Sequence, residues 1–199
     1  KLLKMKKILV AGAIALFGLA SAQTTEKSGF QGKLWLMGQA GVNTEKTKGD
    51  DNAATTYSIL PVVGYFVSPT VTVGAGVGYL GSSHADGYKS TGTFLIQPLV
   101  RKYWAVNDKL FIFGQASVPV GFVSNKEYSG NKEKATTFGI EIAPGLDYFI
   151  ASNWSVEAQF GFLGWNNYKP KGGDATNSFG VGVNSGFVGG VKLGVKYIF

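Results

Sequence analysis

The feature that most restricts this chain is a two-residue alternation of apolar and polar side chains, carried through eight segments. They run over about 32–42, 57–66, 71–80, 92–104, 110–122, 137–149, 154–165 and 187–199, and none carries a helical period over a useful length. Successive side chains of an extended strand point to opposite faces, so each segment is predicted as a strand with one apolar and one polar face. The sixth sets Phe138, Ile140, Ile142, Leu146 and Tyr148 against Glu141, Gly145 and Asp147. In the seventh, Trp154, Val156, Ala158, Phe160 and Phe162 oppose Glu157 and Gln159. The last sets Val191, Leu193, Val195, Tyr197 and Phe199 against Lys192 and Lys196; the first sets Leu34 and Leu36 against Lys33 and Gln39.

Alternation alone fits two architectures. A soluble barrel or sandwich buries the apolar face, whereas a membrane barrel turns it to lipid and keeps the polar face inside. The connections choose between them. Three are tight (Val67–Thr70, Ala105–Lys109, Ile150–Asn153) and alternate with long polar ones (Asn43–Thr56, Gly81–Thr91, Val123–Thr136, Asn166–Gly186). Short turns on one side and long loops on the other are the asymmetry of a membrane barrel. Aromatics also gather at strand ends: Tyr65-Phe66, Tyr103-Trp104 and Tyr148-Phe149 lie beside the short turns. Tyr79, Phe94, Phe122, Phe138, Phe162 and Trp165 lie beside the long ones, so two interfacial girdles are expected. A content of 29 Gly and 27 aromatic residues (4 Trp, 9 Tyr, 14 Phe) suits such a wall. The prediction is an all-β, eight-stranded, antiparallel up-and-down transmembrane barrel.

The N-terminus reads as a cleavable signal peptide over residues 1–22, with translation starting at Met5. Lys6 and Lys7 precede the apolar run Ile8–Leu19, and Ala20-Ser21-Ala22 offers a small-residue cleavage site before Gln23. That run is too short to span a bilayer as a helix, which takes about 20 residues. The barrel domain is then 23–199. Four of the 19 Lys+Arg (Lys1, Lys4, Lys6, Lys7) leave with the signal, which has no acid, so 15 bases face 12 acids in the remainder. The basic character is therefore poor support for nucleic acid as a partner, and none is expected. The chain has no cysteine, so its stability cannot rest on disulfides.

A hairpin unit repeats. Pro61-Val-Val-Gly-Tyr-Phe-Val-Ser, followed by a strand ending Gly78-Tyr79-Leu80-Gly81, recurs 83 residues later as Pro144-Gly-Leu-Asp-Tyr-Phe-Ile-Ala, ending Gly161-Phe162-Leu163-Gly164. A looser copy starts at Pro98. Proline lacks the N–H a ladder needs, so bulges are expected at Pro61, Pro98 and Pro144, on the lipid-facing side.

With the Pro61–Pro69 hairpin, the Pro98-x-x-Arg101 sequence and the terminal Val195-Lys-Tyr-Ile-Phe199, the chain resembles small outer-membrane barrels of the OmpA-transmembrane and OmpX type. It resembles most closely the outer-membrane-protein β-barrel domains common in Bacteroidetes. The resemblance implies a Gram-negative outer-membrane location, with membrane lipids and lipopolysaccharide as neighbours and the barrel-assembly machinery as a partner during insertion. It implies that Tyr197 and Phe199 form the assembly signal that this machinery reads. No peptidoglycan-binding segment of the OmpA kind follows Phe199, so no cell-wall tether is expected.

The strongest constellation for chemistry is the polar face: Lys33, Arg101, Lys192 and Lys196 with Glu141, Asp147 and Glu157, joined by Gln39, Gln97, Gln115 and Gln159. An eight-stranded barrel is just wide enough for side chains to fill, so these charges are expected to pair inside it, as a plug or as a narrow ion path. His84, in Ser82-Ser83-His84-Ala85-Asp86, is the sole histidine, and neighbours on one loop seldom form a catalytic triad. No catalytic, cofactor or metal site is expected. Asp50-Asp51, Lys126-Glu127 and Lys132-Glu133-Lys134 read as solvated loop charge, or as contacts to lipopolysaccharide phosphates or divalent ions. Gly74-Ala-Gly76-Val-Gly78 and Gly180-Val-Gly182 lie on alternating strands, not between a strand and a helix, so they are not phosphate loops. The expected role is non-enzymatic: envelope integrity or surface interaction through the long loops, by a monomer. A narrow small-solute or ion channel is the second reading, and a lipid-modifying enzyme the third.

Overall fold

The structure, a computed structural model, describes residues 29–45, 53–84, 88–182 and 192–199; the signal segment lies outside them. The described strands are β1 (Leu34–Glu45), β2 (Ala54–Phe66), β3 (Val71–Ser83), β4 (Ser90–Ala105), β5 (Leu110–Ser117) and β6 (Val120–Lys126). They continue as β7 (Lys132–Phe149), β8 (Trp154–Gln159), β9 (Phe162–Pro170), β10 (Thr176–Gly182) and β11 (Lys192–Ile198). All pairings are antiparallel.

Eight staves result. β5 and β6 share one register against both β4 and β7 and act as a single stave. β8 and β9 run along the other edge of β7, with β11 opposite β8 and β10 opposite β9. β11 also pairs with β1, from Trp35↔Ile198 to Ala40↔Leu193, which closes the barrel.

The tight turns lie at one end with Leu34 and Phe199, where the Phe199 N–H donates to the Leu34 carbonyl at 2.9 Å. Short polar side chains set these turns. Ser68 Oγ accepts from the Val71 N–H at 3.0 Å, and Asn107 Oδ1 accepts from the N–H groups of Lys109 and Leu110 at 2.9 Å each. Strand limits at this end fall where the sequence puts them, at Phe66, Val71, Leu110, Phe149 and Trp154. At the far end the strands run further. β6 reaches Lys126 and β7 starts at Lys132, inside the expected Val123–Thr136 loop. The expected Asn166–Gly186 loop holds the upper part of β9 and all of β10, paired from Phe162↔Gly182 to Tyr168↔Thr176. Of the last predicted segment, 192–199 is described.

Pro61, Pro98 and Pro144 all sit exposed on the outer face, as expected, but bulges do not follow at two of them. Around Pro61 the register holds, Ile59↔Tyr79 and Val62↔Gly76, and the ladder omits Leu60 and Pro61. Around Pro98 it also holds, Ile96↔Val120 and Leu99↔Ser117, with the break between β5 and β6 opposite. A missing N–H costs one ladder bond there and no extra residue. Opposite Pro144 there is a bulge, on the partner stave: Ile142 faces Leu163 and Gly145 faces Gln159, so β7 spans three residues where β8–β9 spans four. The extra residue flips the parity. Glu157 and Gln159 point inward below it, while Gly164 and Asn166 stand opposite inward Glu141 and Gly139 above it. Phe162 therefore leaves the outer face assigned to it from the sequence, and Leu163 takes that side.

Candidate functional site

Alternate side chains on β2, β7 and β11 divide cleanly between the two faces: on β7, Ile140, Ile142, Leu146 and Tyr148 are exposed while Glu141, Asp147 and Phe149 are buried. The buried set fills the lumen. Its large rings lie down over glycines that are their direct partners on the adjacent strand, Gly64 beside Trp35 and Gly145 beside Phe113. A Cβ on Gly64 would stand 2.3 Å from the Trp35 ring, and one on Gly145 would stand 2.2 Å from the Phe113 ring. Small facing large lets a narrow barrel close around aromatic rings.

The half of the lumen nearest the tight turns is sealed by charge. Arg101 on β4 forks onto Glu157 on β8, with Nη1 to Oε2 at 2.6 Å and Nη2 to Oε1 at 3.1 Å. Its Nη2 and Nε also donate to Gln115 Oε1 at 2.7 and 3.1 Å, and Nη1 to the Tyr103 hydroxyl at 3.0 Å. Lys196 on β11 pairs directly with Asp147 on β7, donates to the Tyr103 hydroxyl at 3.1 Å, and lies 3.9 Å from Glu157. All four charged side chains have no solvent exposure. Two cations meet two anions, so the knot is neutral, as a buried set must be to offset its desolvation. Aromatic rings close it in: Phe113 lies 4.0 Å from the Arg101 guanidinium, Tyr103 lies 4.9 Å from Lys196, and Trp35 lies within 6 Å of both. Trp35 is fixed in turn by its Nε1–H donating to Thr72 Oγ1 at 2.7 Å. Phe30, Phe66, Phe111 and Phe149 stack beneath as the floor.

Above the knot the groups are looser. Glu141 is buried midway up and attracts Lys192 without a direct ion pair among the described residues. Gln97 donates to Ser117 Oγ at 2.8 Å, and Gln39 reaches Glu157 Oε1 at 3.4 Å. Higher still a vestibule of about 390 Å³ is lined by neutral groups, among them Thr91, Asn125, Thr137, Asn166 and Tyr168. Asn125 holds its shape, accepting from Thr91 Oγ1 and donating to the Tyr168 hydroxyl, each at 3.0 Å. Tyr88 at the rim donates to Glu133 at 2.9 Å, and that hydrogen bond raises its phenol above the ordinary tyrosine value.

Of the charges expected inside, Arg101, Glu141, Asp147, Glu157, Lys192 and Lys196 take lumen positions. Lys33 does not. It precedes β1 at the turn end and is exposed, because its inward parity has no wall around it there. Trp35, Tyr103, Phe66 and Phe149 were missed as lumen residues. Each expected girdle pair divides instead: Tyr65, Trp104 and Tyr148 face out while Phe66, Tyr103 and Phe149 face in. Adjacent residues of a strand cannot share a face, and that signal was present in the sequence. Tyr197 and Phe199 lie on the outer face with Trp154, at ring separations of 5.0 and 4.8 Å from Tyr197. His84 has a left-handed backbone (φ 56°) and its ring lies 6.3 Å from Tyr128; Asp50, Asp51 and Asp86 fall outside the described residues.

An apolar outer wall, a closed ladder and an interior filled by charged and aromatic side chains define a membrane-spanning β-barrel. The chain belongs to the outer membrane protein beta-barrel domain family, whose profile matches residues 9–187. Among solved structures it is similar to Neisserial surface protein A, with a TM-score of 0.52 and 13% identity over 85% of this chain and 98% of that one. It also matches the N-terminal barrel domain of Pseudomonas aeruginosa OprF (TM-score 0.49, 12% identity, 85% and 98% covered). A third is Ail, the attachment invasion locus protein of Yersinia pestis (TM-score 0.45, 13% identity, 85% and 99% covered). At such identity the first likeness is one of fold. No protein of curated function matches the chain in sequence.

Proposed function

We propose that this protein is a non-conducting, non-enzymatic outer-membrane scaffold, exported by its signal peptide, that serves the envelope through the polar hairpins it raises above the membrane. One observation carries this reading: the Arg101–Glu157–Lys196–Asp147 knot closes the lumen with four fully buried charges on four different staves. A conducting pore needs a continuous wet path, and a neutral, hydrogen-bonded knot roofed over an aromatic floor leaves none. The family sets the location; the knot argues against transport.

Planar-bilayer conductance of the refolded barrel (residues 23–199) tests it. The native protein is expected to stay silent, and Glu157→Ala to open at most brief, noisy events as Arg101 and Lys196 lose their shared anion. Stable unitary openings from native protein, altered by Glu141→Ala, would replace the scaffold with a narrow channel. His84→Ala is expected to leave membrane lipid composition unchanged; a change would revive the enzyme reading.

A further inference from the structure

Beyond the aromatic girdle the strands carry on, and their outward face changes chemistry. On neighbouring staves, Phe94, Phe122, Thr136 and Lys169 form one outward row. The next row outward holds Ser124 and Lys134, and the Lys171 N–H donates to the Lys134 carbonyl at 2.8 Å, so Lys171 continues it. Above that, Lys126 stands opposite Lys132. Same-face rows are two residues apart, roughly 7 Å, so all five lysines lie within two rows of Phe122. All five are exposed.

Among the described residues the lysines are not balanced locally. Glu133 points to the other face and accepts from Tyr88, while Glu127 accepts from Ser129 and Asn131 in its own turn. Asp174 is the remaining acid on these hairpins. No carboxylate among the described residues lies within ion-pair distance of any of the five. Placing like charges directly opposite, as with Lys126 and Lys132, disfavours the sheet unless an anion sits over them. A concavity of about 660 Å³ is bounded by Lys134, Lys169 and Lys171 together with Phe122, Thr136 and Pro170, so three lysine side chains and an aromatic ring border one space.

We propose that this groove binds the phosphate groups of a phosphorylated glycolipid of the outer leaflet, with Lys134, Lys169 and Lys171 on the phosphates and Phe122 against the start of the acyl region. The proposal rests on the membrane reading of the outer face and is independent of whether the lumen conducts. A lipid is favoured over a soluble anion because the cations sit immediately above the girdle, on the side turned to the membrane, where the ligand's headgroup is already held. Phosphates carrying uncompensated charge suit the cluster, whereas a zwitterionic headgroup brings its own cation.

The test uses refolded full barrel in nanodiscs of phosphatidylcholine with a minor fraction of diphosphorylated lipid A, measuring glycolipid retained on the protein after extraction. Native protein is expected to enrich it over the enzymatically dephosphorylated form, and added salt to reduce the enrichment. Each lysine near an anionic surface contributes about fivefold, so K134Q/K169Q/K171Q is expected to lower the enrichment more than tenfold. K33Q/K109Q, at the opposite end, is expected to leave it unchanged. Folding is verified by heat-modifiable migration, and the single variants K169Q and K171Q, each losing about fivefold, serve if the triple variant does not fold. Equal enrichment of the dephosphorylated form, or full retention by the lysine variants, overturns the proposal. Complete displacement by inorganic phosphate, at an ionic strength where sodium chloride leaves the glycolipid bound, would assign the groove to a soluble anion and overturn the lipid as its ligand. Native silence in bilayers would be unaffected by any of these results.

Discussion

Removing Glu157 is the sharpest test of the energetics. Its carboxylate is bidentate to Arg101, 3.9 Å from Lys196 and within reach of Gln39. Glu157→Ala leaves two fully buried cations against Asp147 alone, with Arg101 holding only Gln115 and Tyr103. Breaking a buried pair by removing one partner costs about 3–5 kcal/mol, because the remaining charge keeps its desolvation penalty. Removing both should cost far less, since an apolar replacement of a buried pair is often neutral. The Arg101→Met/Glu157→Met double variant is therefore expected to recover most of the loss, giving a coupling well above 1 kcal/mol in a double-mutant cycle. Urea titration of the barrel in lipid vesicles, read by gel migration and tryptophan emission, measures both. With a slope of about 1–3 kcal/mol per molar, the single variant should lower the midpoint by roughly 1–5 M. A single-variant loss under about 1 kcal/mol, or additive single losses, would show that water reaches the knot and that the lumen is not sealed.

Other expectations follow from the same structure. Gly64→Ala should cost about 1–3 kcal/mol and shift Trp35 emission, since its new methyl would overlap the enclosed indole, while Gly38→Ala, with open space at its Cβ, should be silent in the same titration. Tyr197→Ala/Phe199→Ala is expected to slow insertion by purified barrel-assembly machinery several-fold and leave unassisted refolding in detergent nearly unchanged. Equal slowing in both assays would make these rings mere lipid contacts.

How legible the chain was depended on what each part touches. Between the girdles, lipid outside and packed charge inside impose opposite demands on odd and even residues. Ile140 to Tyr148 therefore declared their faces without a structure. At the tight turns Ser68, Pro69, Asn107 and Asn153 punctuate the chain, and the strand limits there were legible too. Above the girdle water lies on both sides, so alternation loses its chemical contrast. Lys132–Ala135 and Thr176–Asn177 looked like loop for that reason. The bulge after Gln159 was hidden because a parity flip leaves no mark where Phe160, Gly161 and Phe162 are apolar or small. The inward aromatics were concealed because a strand-end ring suits the lipid interface and the lumen floor equally well, and parity alone separates Phe66 from Tyr65.

The knot draws one charge from each of β4, β7, β8 and β11, four of the eight staves. A stave that slipped by one residue during insertion would turn its charge out to hydrocarbon and its lipid-facing residue in. For a cation that exposure costs up to about 2–4 kcal/mol at mid-membrane and less toward the turn end where the knot lies, besides the stranded partner inside. Misaligned barrels would thus be penalised before they close, and the mature lock would double as a proofreading device for assembly.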